Sequence, residues 1–168
     1  DDNVFINEKS FPEKDGFIKI QGDAVCNDLL WTAGSNPYML KSSHFLIKHW
    51  TGANLKIYGS VQLPENLNNQ FYGDILFKSD QKLNSIDIPG KLHSDLIFDG
   101  TGTWKLNETL ATSKNIQLKK GSLDTKGNDL QSKGFYVRGK NKKSLNLDNS
   151  DIIVEELNFS ENENFSLS

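Results

Sequence analysis

Asp95-Leu96-Ile97-Phe98-Asp99-Gly100-Thr101-Gly102-Thr103-Trp104-Lys105-Leu106 decides the reading of the fold. It is a short apolar burst, a glycine turn, and a second burst in which Trp104 and Leu106 share one side and Lys105 takes the other. That alternation is the period-two pattern of a half-buried strand. Working outward, similar bursts occur at Val4-Phe5-Ile6, Phe17-Ile18-Lys19-Ile20, Leu55-Lys56-Ile57-Tyr58 and Asp74-Ile75-Leu76-Phe77. The series goes on through Asn115-Ile116-Gln117-Leu118, Gly134-Phe135-Tyr136-Val137 and Asp151-Ile152-Ile153-Val154. Each is three to five residues, a strand length. Gly59-Ser60, Asp99-Gly100, Gly121-Ser122, Gly127-Asn128 and Asp148-Asn149 read as the turns between them. Tyr38–Trp50 is the one segment with a helical option, and its serines and β-branched or aromatic residues favour strand and turn.

The spacing of the bursts predicts the architecture. Ile75, Leu96, Ile116, Phe135 and Ile152 open successive bursts 21, 20, 19 and 17 residues apart. A second series, Ile86, Trp104, Leu123 and Leu145, is spaced by 18, 19 and 22, and a third, Leu92, Leu110 and Leu130, by 18 and 20. Three interleaved series with one period near twenty predict an all-β parallel β-helix, a solenoid of about 20 residues per rung. Equivalent bursts would stack about 4.8 Å apart, with apolar columns inside and Gly, Asn and Asp at the corners. The alternative is an antiparallel β-sandwich with turns every 8–12 residues. Residues 1–168 read as a single solenoid segment, less regular over 1–52 and clearer over 53–168. Apolar alternation near both ends, at Val4-Phe5-Ile6 and at Phe159, Phe165 and Leu167, predicts that the rungs continue in a longer polypeptide.

Composition agrees and narrows the function. With 168 residues the chain makes one ordinary domain. Nineteen basic against twenty-two acidic residues, a net charge of −3, argue against a general nucleic-acid surface. Arg138 is the sole arginine, so bidentate phosphate recognition is poorly supplied. No run is long and apolar enough for a membrane span. Cys26 is the only cysteine, which excludes an intrachain disulfide and a multi-thiolate metal site.

From Leu55 onward the phrases are familiar. Gly73-Asp74-Ile75-Leu76-Phe77-Lys78-Ser79 is followed by the decisive stretch above. Then come Ile116-Gln117-Leu118-Lys119-Lys120-Gly121-Ser122-Leu123-Asp124-Thr125-Lys126-Gly127-Asn128 and Lys143-Ser144-Leu145-Asn146-Leu147-Asp148-Asn149-Ser150. They resemble the repeat regions of very large cell-surface proteins of Bacteroidota, exported by the type IX secretion system, among them adhesins and gliding-motility-associated proteins. Val25-Cys26-Asn27-Asp28-Leu29-Leu30-Trp31, followed by Pro37 and Leu40, looks similar as well. The resemblance implies a β-helical stalk or adhesive module outside the cell. Its partners would be neighbouring repeats of the same polypeptide, surface polysaccharide, and the secretion machinery during export. The chain departs from the pattern where Asp148-Asn149 stands in place of glycine and where Lys119-Lys120 replaces smaller polar residues.

Motifs for catalysis are sparse. No Gly-x-Ser-x-Gly elbow and no phosphate-binding loop occurs, and Gly100-Thr101-Gly102 reads as a turn. His44 and His49, five apart, fit neither face of one strand, and no ligand cluster joins them or His93. Cys26 reads as a small buried side chain. Asp74, Asp87, Asp95, Asp99, Asp124, Asp129, Asp148 and Asp151 are scattered as corner residues are. Asp74 and Asp95 precede equivalent bursts, so they are placed to stack one rung apart, as an acid/base or calcium pair would. The run Arg138-Gly139-Lys140-Asn141-Lys142-Lys143 reads as a solvated turn. For carbohydrate contact by exposed aromatics, the candidates are Trp50, Tyr58 and Tyr136, the tyrosines forming an outward column; Trp104 and Trp31 belong to the core. The sequence therefore predicts no catalytic residues, no cofactor and no metal. It predicts a non-enzymatic structural or adhesive module on a bacterial surface, with a carbohydrate-binding module and a β-helix polysaccharide lyase or hydrolase as the alternatives.

Overall fold

The computed structural model describes residues 2–10, 17–20, 22–32, 39–42, 53–65, 67–160 and 163–168. These residues form a β-solenoid in which parallel strands stack roughly 21 residues apart. Every strand pairing among the described residues is parallel, which excludes the antiparallel sandwich. Besides strands, the described residues include one 3-10 turn, Glu8–Ser10. No helix among the described residues is long and apolar enough to cross a membrane.

The coil has three faces. The first stacks Ala24–Cys26, Leu55–Ile57 and Ile75–Phe77 under the opening residues of Leu96–Leu106 and Asn115–Asp124, then the closing residues of Leu130–Val137 and Ile152–Asn158. The second stacks Val4–Ile6, Leu29–Trp31, Val61–Gln62 and Asn84–Asp87 under the closing residues of Leu96–Leu106 and Asn115–Asp124, then Lys143–Asn146 and Phe165–Leu167. The third holds Phe17–Ile20, Met39–Ser42 and Asn68–Gln70 as a separate sheet. Further along, it holds Lys91–Leu92, Leu110–Thr112 and the opening residues of Leu130–Val137 and Ile152–Asn158.

Alternation places each residue. On the first face Ile75, Leu96, Ile116 and Phe135 occupy one interior column, as their spacing predicts, and Leu55 extends it. Ile57, Phe77, Phe98, Leu118 and Val137 fill the next. All ten are at most 5% exposed. Phe77 and Phe98 stack with centroids 4.6 Å apart, and Trp104 from the second face meets Phe98 edge-on at 5.5 Å. A core this continuous supplies the apolar burial that holds the coil.

Three positions in the predicted series belong elsewhere. Ile152 pairs with Leu130 on the third face, and Leu157 is opposite Phe135. Ile86 is opposite Leu106, because the position beneath Trp104 is taken by buried Asn84. Leu92 is opposite Thr112, also buried, rather than opposite Leu110. Interior polar residues thus broke the hydrophobic series without breaking the coil. Asn84 donates to the carbonyls of Gln81 and Thr103 and accepts from Ser79 Oγ; Thr112 Oγ1 donates to Ser94 O at 2.6 Å. Each is satisfied, as buried polar groups must be.

Gly100-Thr101-Gly102 and Gly121-Ser122 are not turns that end strands. They lie inside the 11-residue strand Leu96–Leu106 and the 10-residue strand Asn115–Asp124, whose pairing slips in register at the corner. Such a slip in register, as at a β-bulge, bends a strand without ending it. Gly121 has φ +80°, and a Cβ there would lie 2.3 Å from Gly100 O. Close stacking of backbone at this corner therefore requires glycine. Asp148 and Asn149, the departures from glycine, adopt φ of 48° and 81°. Asx residues tolerate that left-handed region better than other side chains.

Candidate functional site

The outer surface of the first face carries the residues singled out for function. Its central outward column runs Val25, Lys56, Leu76, Ile97, Gln117, Tyr136 and Asn158. Tyr136 is half-buried, donates its hydroxyl to Glu156 Oε2 at 2.9 Å, and has the Arg138 guanidinium 4.2 Å from its ring centroid. The Glu156 carboxylate, which accepts that hydrogen bond, raises the phenol pKa. Tyr58 lies two residues beyond Lys56, so the tyrosines do not share a column. They are four steps apart, roughly 19 Å at the ~4.8 Å strand spacing. They form no common platform for a sugar ring. Trp50, His44 and His49 lie outside the described residues. Tyr72, which is exposed, stacks on His93 with centroids 5.5 Å apart.

Asp74 and Asp95 do stack one step apart, each preceding a paired residue of the Ile75–Leu96 register. Asp95 Oδ1 accepts from Asn115 N and Nδ2 at 3.1 and 2.9 Å, and Lys114 Nζ lies 4.0 Å from its other oxygen. Burial, then the neighbouring Asp95, raise the Asp74 pKa. Among the described residues no three His, Cys, Asp or Glu are grouped to hold a metal ion. Cys26 is buried, and burial followed by the Asp28 charge pushes its thiol up to about 11. That disfavours the thiolate needed of a nucleophile.

The other exterior carboxylates reach mainly to the next turn. Asp23 accepts from Asn54 and pairs with Lys56 at 3.0 Å. Asp28 accepts from Ser60 N, Asp80 from Thr101 N and Oγ1, and Asp129 from Asp151 N. Asp99 pairs with Lys78 at 3.0 Å, and Asp124 accepts from Asn146 with Lys105 3.7 Å away. Each of these joins residues about one coil apart.

Sequence reading missed two concave sites. The first is a groove of about 420 Å³ whose lining includes Glu65, Asp87 and Glu108 over buried Trp31, with Pro64 and Pro89 on its walls. The acids are spaced by 22 and 21 residues, the coil period, and a search for that period among Glu as well as Asp would have found them. The second is a pocket of about 290 Å³ whose lining includes Lys120, Lys142 and Lys143. Lys143 belonged to the run read as a solvated turn. It is instead 1% exposed and opens the strand Lys143–Asn146. Its ammonium donates to the carbonyls of Gly139, Asn141 and Glu163.

Comparison of the chain with family models, curated proteins and solved structures returns no match.

Proposed function

We propose that the chain is a non-enzymatic structural and adhesive module of a large bacterial surface protein, a stiff segment that projects or displays for attachment or gliding. The observation that carries this is the use of the exterior acids. Asp23, Asp28, Asp80, Asp95, Asp124 and Asp129 each hold a partner on the next turn, and Asp99 holds Lys78 on the preceding one. Carboxylates arranged this way fasten one coil to the next, and a rod built so extends by adding coils. The sequence resemblance to repeat regions of exported Bacteroidota proteins supports an extracellular location and passage through the type IX machinery. Antibodies raised against the chain should label intact cells of the source organism. Labelling only after permeabilisation contradicts the surface location.

The groove of Glu65, Asp87 and Glu108 favours a second reading, a β-helix enzyme acting on polysaccharide. Such enzymes need paired carboxylates along a sugar-binding face. In this chain that reading stands on three acids sharing one groove.

A further inference from the structure

The pocket at the corner between the first and second faces has an unusual distribution of donors. Lys120 and Lys142 extend from successive coils, and Thr101, Ser122 and Ser144 add hydroxyls. No carboxylate among the described residues lines it. Neither Lys120 nor Lys142 is in an ion pair among the described residues. Ser144 Oγ donates to Ser122 Oγ at 2.7 Å, which leaves the Ser122 hydroxyl proton to point elsewhere.

The floor adds a third cation. Lys143 is buried, and its ammonium is held by three backbone carbonyls with no carboxylate paired to it among the described residues. Carbonyl dipoles satisfy its hydrogen bonds but leave its charge uncancelled, and a charge shielded from water acts further than one at the surface. Asp80, which faces Thr101 of the lining, is already engaged by the Thr101 N–H and hydroxyl. Gly121, fixed by its backbone geometry, contributes no side chain to the lining.

We propose that this pocket is a subsite for an oxyanion carried on a saccharide, a sulfate ester or a uronate carboxylate. Two ammonium groups and a serine hydroxyl converge as donors, and the buried Lys143 charge favours an anion over a neutral sugar. The volume is at the low end of small-ligand pockets, about 300 Å³, so it accepts one sugar unit of a longer chain. The proposal rests on the adhesive reading above and names the class of polymer that such a surface would meet.

Binding of the chain to dextran sulfate, polygalacturonate, neutral dextran and inorganic sulfate tests it. The two acidic polymers, or one of them, should bind, and neutral dextran should not. The double variant K120Q/K142Q should bind at least about tenfold more weakly, a loss of about 1.4 kcal/mol. K91Q/K126Q removes the same charge at exposed positions elsewhere and should change binding less than about threefold. K142Q alone, at an exposed side chain, shows the same direction if Lys120 proves necessary for folding. Equal losses in the two double variants overturn the site, since diffuse charge would then explain binding. Inorganic sulfate binding as tightly as the polymers overturns the saccharide part. Failure of both acidic polymers to bind overturns the site altogether, while labelling of intact cells decides the surface reading separately.

Discussion

Asn84 and Trp104 occupy the same interior column one coil apart, and the Asn84 amide donates to the carbonyl of Thr103, Trp104's chain neighbour, at 3.0 Å. A polar side chain thus holds two coils together from inside an apolar core. Asn84→Leu restores the hydrophobic series but removes the amide's bonds to the carbonyls of Gln81 and Thr103 and takes the acceptor from the buried Ser79 hydroxyl. It should destabilise by about 1–3 kcal/mol. Denaturant melting checks this, and a gain in stability would show that these bonds contribute nothing net.

The aromatic stack should be the most sensitive part of the core. Phe98 is fully buried between Phe77 and Trp104. Phe98→Ala should cost about 3–5 kcal/mol, read from the same melts.

Two glycines with the same backbone angle should respond differently. Gly121 and Gly127 both have φ +80°. A Cβ on Gly121 meets Gly100 O at 2.3 Å, whereas one on Gly127 meets nothing within 4 Å. Gly127→Ala should cost about 1–2 kcal/mol, the penalty for a left-handed non-glycine residue. Gly121→Ala should cost clearly more, because backbone of the preceding coil must also move. Equal losses would mean that the corner is not close-packed.

Asp74 gives a pH dependence with a definite sign. Its pKa is raised in the folded chain by burial and by Asp95, with Lys114 and Lys119 opposing. A raised carboxyl destabilises the folded state when ionised, so the cost is present at neutral pH. It disappears as pH falls through the folded value toward the ordinary 3.8. Asp74→Asn should therefore raise the melting temperature at pH 7 and lose that advantage in acid. An advantage that persists unchanged at low pH contradicts this account.

The Leu96, Ile116 and Phe135 column was legible in the sequence because alternation and a near-constant interval point to the same residues. Legibility failed where a polar residue entered the interior, as Asn84 and Thr112 do, since hydropathy alone moves the series to the nearest apolar neighbour. It failed again at the corners, where glycine in Gly100-Thr101-Gly102 permits a slip in register inside one long strand. The concave sites were less legible. Glu65, Asp87 and Glu108 converge only once the coil is closed. Nothing local marks Lys143 as buried, because its partners are backbone carbonyls rather than acids.

Turnover of polysaccharide by the intact chain is the most direct test of the claim that this module is structural and adhesive rather than enzymatic. Across acidic and neutral polysaccharides the account predicts no new reducing ends and no unsaturated products. Turnover that disappears in Asp87→Asn or Glu108→Gln, with folding intact, would contradict it and make the acidic groove an active site.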